Sequence, residues 1–123
     1  MLNVQELDQF VAHQDQLKDD NQGPVVLVNI FHVAPEKGDD LLAVWANILQ
    51  TFKSQSGFIS AQFHRGTAGS GTFLNYAVWE STAAYRAAYE NPAFRERLPA
   101  YPEWTTATPH LFRKVAIENV CVA

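Results

Sequence analysis

The chain has 123 residues, 47% hydrophobic and 18% charged, with 9 Lys plus Arg against 13 Asp plus Glu and a formal net charge of −4. That length holds one core, the composition excludes a disordered or fibrous chain, and no segment gathers basic residues into a stripe able to neutralise several phosphates, so nucleic acid is not an expected partner. No basic leader with an apolar run and no stretch of roughly 20 apolar residues occurs, so a membrane is not an expected partner and the expected location is cytoplasmic. The single cysteine, Cys121, agrees with a reducing compartment.

Val4, Leu7, Phe10 and Val11 recur at helical spacing within the polar residues 1–22, and Asn3 with Glu6 resembles a capping pair. That pattern predicts a short N-terminal amphipathic helix, joined by "DDNQGP" to the main domain over 23–123. "VVLVNIFHV" (25–33), rich in β-branched residues and closed by Pro35, predicts a first strand. From Glu36 to about Gln55, the stripe Leu41, Trp45, Ile48, Phe52 has the 3.6-residue period of a helix.

"GFISAQFHR" (57–65) and "TFLNYAVWE" (72–80) predict a hairpin about the Gly-rich "GTAGSG". Those glycines have no following helix or Lys, so they do not form a phosphate cradle. Ser81 is placed to cap a helix carrying Tyr85, Ala88 and Tyr89; Asn91-Pro92 then restarts a short turn with Phe94 and Leu98. "HLFRKVAIENVCV" (110–122) predicts a last long strand.

The order βαββαβ predicts an α+β, ferredoxin-like fold: a four-stranded antiparallel sheet with both helices on one face, preceded here by the extra N-terminal helix. In the first strand both parities are apolar, Val25, Leu27, Phe31 and Val33 against Val26, Val28 and Ile30. A solvated face would alternate with polar residues, so the expectation is a homodimer packed sheet against sheet, the alternative being a single sheet whose second face is buried by its own N-terminal helix.

The segments "VNIFHVAPEKGDDLLAVW", "SGFISAQFHR" and "NYAVWESTAAYRAAYENPAF" resemble the antibiotic biosynthesis monooxygenase (ABM) family of the dimeric α+β barrel superfamily, over about residues 24–116. The resemblance implies oxidation of a small aromatic or quinol-like substrate with O2, with no metal, flavin or other cofactor. A related heme-degrading branch uses an Asn on the first strand, which Asn29 matches. Its Trp and axial His fall at Ala88 and Leu98, which leaves iron without a protein ligand.

Asn29 stands out as an amide inside an apolar strand, where an unpaired polar group costs about 1–3 kcal/mol. Its two readings are a local hydrogen bond, or a donor to a substrate carbonyl or enolate oxygen. Phe73, Asn75, Ala77 and Trp79 share a parity that includes a small and a polar residue, which leaves room for a ligand; Trp79 itself reads first as corner packing and second as pocket wall.

His64 is the candidate base, with an ordinary pKa near 6.5, or an exposed strand-end histidine. His32 and His64 would lie on strands separated by a third, about 9–10 Å apart and without a third ligand, so no metal site is expected. Catalytic candidates are therefore Asn29 and His64, or a tyrosine in place of His64, and substrate-binding candidates are Phe31, Asn75, Ala77, Trp79, Tyr89 and Phe94. The alternative function is a non-catalytic dimer that binds a hydrophobic ligand or heme.

Overall fold

The computed structural model describes residues 2–122; Met1 and Ala123, the outer ends of the two predicted segments, lie outside the described residues. The strands are β1 (Asn3–Val4), β2 (Val25–His32), β3 (Phe58–Arg65), β4 (Thr72–Trp79) and β5 (Thr106–Phe112). The helices are α1 (His13–Gln16), α2 (Gly38–Lys53), α3 (Thr82–Glu90) and α4 (Pro92–Arg95), with single 3-10 turns at Pro35–Lys37 and Leu98–Ala100.

The sheet order is β1-β5-β2-β4-β3. β2 to β5 pair antiparallel as the ferredoxin-like topology requires, and β1 adds a two-residue parallel edge. The hairpin turns at Ala68 and Gly69, whose φ values are 60° and 76°. Gly71 is held there by close approach, because a Cβ would come within 2.0 Å of the Val33 carbonyl oxygen. Asp39 and Asp40 in the first turn of α2 and Lys53 in its last turn suit the helix dipole. Ser81 caps α3 by accepting from the Ala84 N–H at 3.1 Å, and Asn91 caps α4 by accepting from the Ala93 N–H at 2.8 Å.

One sheet face lies under α2, α3 and α4, and it divides lengthwise into two buried clusters. Val25, Leu27, Ala77, Trp79, Tyr85 and Leu111 belong to the first; Phe31, Leu41, Ile48, Phe73, Phe94 and Ala107 belong to the second. The register explains the division: Asn75, Asn29 and Pro109 are successive neighbours across β4, β2 and β5, and this row carries two amides and a proline where the rows on either side are apolar. The opposite face carries Val28, Ile30, Leu74, Tyr76 and Val78, all half-buried, and no helix.

Two elements depart from the sequence-based expectation. The N-terminal helix is a single turn, His13–Gln16, and the residues read as its apolar stripe are exposed, Phe10 at 86%. Asp8 is the reason: its carboxylate accepts from the Phe10 and Val11 N–H groups, a local alternative to helical pairing. Glu6 caps nothing at Asn3; its carboxylate accepts from the His13 N–H at 2.8 Å.

The last strand is Thr106–Phe112 and not 110–122, so His110 is a strand residue and the tail leaves the sheet, with Val115, Ile117, Val120 and Val122 exposed. Pro109 hid the strand start in the sequence. Ala107 and Leu111 direct their backbone groups away from β2, to Gln5 and Gln16. Pro109, midway between them, therefore places its missing donor on that same outer edge, where a proline is tolerated.

Gln16 closes this edge as a strand would. Its Oε1 accepts from the Leu111 N–H and its Nε2 donates to the Leu111 carbonyl, both at 2.9 Å. Gln16→Ala leaves both backbone groups without these partners. The expected result is a loss of about 1–2 kcal/mol in denaturant unfolding, with faster hydrogen exchange at the Leu111 amide; unchanged exchange there would show that the edge does not depend on Gln16.

Candidate active site

The Asn75–Asn29–Pro109 row forms the floor of a pocket between sheet and helices, with about 620 Å³ of space when its open mouth is included. Trp45, Ile48 and Phe52 of α2 form one wall, and Tyr85, Tyr89 and Phe94 of α3 and α4 another. Phe31, Tyr101 and Ala107 close one end, and Leu2 and Val4 of the N-terminal segment also reach the lining. Phe31 and Tyr101 stack with ring centres 5.7 Å apart, and Phe52 and Phe94 meet at 4.5 Å. Among the described residues, the lining contains no Asp, Glu, Lys, Arg, His or Cys.

The polar content of this apolar space is concentrated at the floor. The Oδ1 atoms of Asn29 and Asn75 are both buried and have no hydrogen-bond partner. The local reading of Asn29, a bond to neighbouring backbone, therefore does not account for this oxygen. Two orphaned amide oxygens side by side in a sheet interior are unfavourable for folding alone, and they suit a ligand that donates a hydrogen bond to them.

Tyrosine hydroxyls and the Trp45 indole N–H are the other polar side-chain groups of the lining. Burial raises the phenol pKa of Tyr85 well above its usual value and also raises those of Tyr89 and Tyr101, so all three are neutral donors at ordinary pH. Behind Tyr85 lies His13, 2% exposed, with its Nε2 2.9 Å from the Tyr85 hydroxyl and its ring edge-on to Tyr89 at 5.1 Å. Burial lowers the His13 pKa to about 4, so its imidazole is neutral.

Of the sequence candidates, Asn29, Phe31, Asn75, Tyr89 and Phe94 line the cavity together. Ala77 and Trp79 share their face but lie beside the cavity within the first core cluster. Trp79 is 1% exposed and packs edge-on against Phe52, Phe58 and Tyr85 at 5.7, 5.3 and 5.8 Å, which matches its reading as corner packing; its buried Nε1 has no partner.

His64 is not brought to the site, which corrects its reading as the base. It neighbours Leu74 on the helix-free face, is exposed, and lies 3.4 Å from the Leu74 carbonyl. His32 is exposed on the same face, and among the described residues no cluster of three metal-ligating side chains occurs.

Sequence reasoning did not single out His13. It lies 72 positions from Tyr85 and outside the apolar set Val4, Leu7, Phe10 and Val11 read in that segment, so nothing local marks it. Among the described residues, no helix is long and apolar enough to cross a membrane.

Comparison with known proteins gives a consistent picture. The family model described as antibiotic biosynthesis monooxygenase matches residues 24–98. The tetracenomycin-F1 monooxygenase of Streptomyces glaucescens is 40% identical over 70 residues, covering 54% of this chain and 59% of that protein. An uncharacterized protein of Synechocystis is 26% identical over 97 residues, covering 76% of this chain and 66% of its own length. The chain thus spans about three fifths to two thirds of these curated relatives. Among solved structures, SnoaB, a cofactor-independent oxygenase from Streptomyces nogalater, is similar with a TM-score of 0.66 and 27% identity, over 79% of this chain and 98% of that one. Residues 2–22, with His13, precede the matched region.

Two stability measurements check this geometry. Asn29→Leu and Asn75→Leu each remove an unpaired buried amide, so each is expected to raise the unfolding free energy, by roughly 1–3 kcal/mol; a loss of that size in both would show that the amides are satisfied in the folded chain. The second concerns His13, whose pKa is about 4 when folded and near 6.5 when unfolded. Because the unfolded state binds the proton more readily, this contribution to stability is full above pH 6.5 and is lost as pH falls towards 4. Relative to His13→Leu, the wild type should lose about 2–3 kcal/mol over that window; a pH-independent difference would mean that the imidazole is not buried neutral.

Proposed function

Because the chain belongs to the antibiotic biosynthesis monooxygenase family, we propose that it is a cofactor-independent monooxygenase acting on a small aromatic or quinol-like substrate with O2. The observation that carries the proposal is the pair of orphaned amides, Asn29 and Asn75, at the floor of an aromatic-walled cavity. The name of SnoaB, a cofactor-independent oxygenase, supports it.

In this reading a flat substrate lies between the aromatic walls with an oxygen substituent over the two amides. The unpaired Oδ1 atoms of Asn29 and Asn75 accept from the substrate's hydroxyl and hold it in place; loss of its proton gives an enolate or phenolate, to which the Nδ2–H groups of the same two amides would donate. The electron-rich carbon reduces O2 and forms a C–O bond. Collapse of the resulting peroxide then places one oxygen atom in the product as a carbonyl and releases the other as water, with the two hydrogens that the carbon has lost. The substrate supplies all the electrons.

The proton leaves to water, directly or relayed by a tyrosine hydroxyl that burial keeps neutral, since His64 is on the other face. Asn29, Asn75, Phe31, Tyr89 and Phe94 contact the substrate; Trp79 and Ala77 support them from the core beside the site.

A second reading, a non-catalytic protein that binds a hydrophobic ligand, is favoured by one observation, the absence of any acidic or basic side chain from the lining. In either reading the partly covered apolar face of β2 and β4, with Val28, Ile30, Leu74, Tyr76 and Val78, is the surface we assign to a homodimer.

Oxygen uptake separates the two readings. With dithranol, an anthrone, the wild type is expected to exceed autoxidation after exhaustive dialysis against EDTA and without added flavin. Asn29→Ala and Asn75→Ala should each lower kcat/KM by about 10²-fold. No uptake above autoxidation, or activity lost with chelation, would overturn the oxygenase reading. For the dimer, native mass spectrometry should give twice the chain mass, and Val28→Lys, which places a charge on the outer face, should shift it to the monomer; a wild-type monomer contradicts the assignment.

A further inference from the structure

The N-terminal residues 2–17 lie before the family match, yet they are fastened to the site at successive points. The Asn3 N–H donates to the Thr105 carbonyl at 3.0 Å and the Gln5 N–H to the Ala107 carbonyl at 2.8 Å, which brings Leu2 and Val4 to the cavity lining. Gln16 clamps Leu111, and Arg86 of α3 donates to the Leu17 carbonyl at 2.8 Å. Between these anchors His13 enters the core, at 2% exposure, beside two tyrosines of the cavity wall.

A buried imidazole is a poor filler: it has more polar surface to desolvate than a leucine of similar volume. Its side-chain hydrogen bond goes to the Tyr85 hydroxyl. A tyrosine hydroxyl has one donor and acceptor lone pairs. Once one direction is taken by His13, the hydroxyl can no longer rotate freely, and its remaining capacity is directed elsewhere.

We propose that His13 is a positioning residue of the binding site: by holding the Tyr85 hydroxyl it turns that group's second hydrogen-bonding direction into the cavity, so that the site selects ligands with a ring hydroxyl. The N-terminal segment is thereby part of the site. It supplies wall and orientation, while Asn29 and Asn75 supply the floor. This inference rests on the reading of the cavity as an aromatic-substrate site, but it does not depend on turnover.

The test compares two probes of the same shape, 1-naphthol and naphthalene, by quenching of tryptophan fluorescence, Trp45 being in the cavity lining. The wild type is expected to bind 1-naphthol at least tenfold more tightly than naphthalene. His13→Leu and Tyr85→Phe should each abolish most of that preference, read as the ratio of the two affinities measured on the same variant. The double variant should be no worse than Tyr85→Phe alone, and His13→Gln, which keeps a hydrogen-bonding group at similar reach, should restore part of it.

A wild type without preference, or a His13→Leu variant that keeps it or loses both probes equally, overturns the proposal. Should His13→Leu fail to fold by thermal melt, Tyr85→Phe and His13→Gln carry the comparison: Tyr85→Phe without loss of preference overturns the proposal. Oxygen uptake is not read here. A failed oxygenase assay with intact naphthol preference sinks the oxygenase reading alone, and the reverse result sinks only the role of His13.

Discussion

The fold depends on a register: β2 and β4 are paired so that Asn29 lies directly beside Asn75, with Pro109 next to them on β5. A row of three residues that do not fill space as Leu or Phe would cannot be packed shut by helices above it. The core therefore closes on either side of the row, around Trp79 and Tyr85 at one end and around Phe31, Phe73 and Leu41 at the other. α2 and α3 span the gap, and their aromatic side chains become walls. A cavity at this place follows from three side chains and the hydrogen-bond ladder that aligns them.

The same row weakens an edge, and the N-terminal segment compensates for it. β5 is the last strand of the antiparallel set, and Pro109 deprives its outer edge of a donor. β1 pairs at Thr106 and Ala107 before the proline, and Gln16 pairs at Leu111 after it. Edge strands left open invite further pairing, so a segment that covers both sides of the proline protects the sheet. Its path also carries His13 over the edge and into contact with Tyr85. Edge protection and completion of the site are thus two results of one chain path.

Much of this was legible in the sequence where neighbours in the chain decide the structure. The β-branched run of β2, the hairpin about its glycines, the stripe of α2 and the caps at Ser81 and Asn91 all act within a few residues. Asn29 was visible as an amide in an apolar run, and Asn75 as a break in the bulky parity of β4. Their adjacency was not, because it depends on the register between strands about 45 residues apart in the chain.

Parity alone did not say which face the helices cover, and His64 was misplaced for that reason. The N-terminal helix failed because its apolar spacing was accidental: the turn that Asp8 forms with Phe10 and Val11 is a local competitor that hydrophobic periodicity does not register. The last strand was displaced because a proline, read without its partners, looks like an interruption.

The chemistry available to the cavity follows from what burial does to acids. The environment that raises the phenol pKa of Tyr85, Tyr89 and Tyr101 acts by desolvation, and it would act equally on a phenolic ligand. A hydroxyarene bound against the aromatic walls alone would therefore resist ionisation, and an un-ionised arene is a poor reductant for oxygen. Only groups that stabilise the anion more than the neutral form reverse this. Among the described lining residues, which include no cationic side chain, the Nδ2–H groups of Asn29 and Asn75, the tyrosine hydroxyls and the Trp45 indole N–H are the groups able to do so. Hydrogen bonds to a charged acceptor are roughly twice as strong as neutral ones, so the donors of the lining favour the ionised ligand, while the unpaired Oδ1 atoms favour the ligand that keeps its hydroxyl proton. Unsatisfied oxygens, held at a cost to stability, are then the source of selectivity for a ligand hydroxyl, and the apolar walls that raise the difficulty of ionisation also make each hydrogen bond count for more.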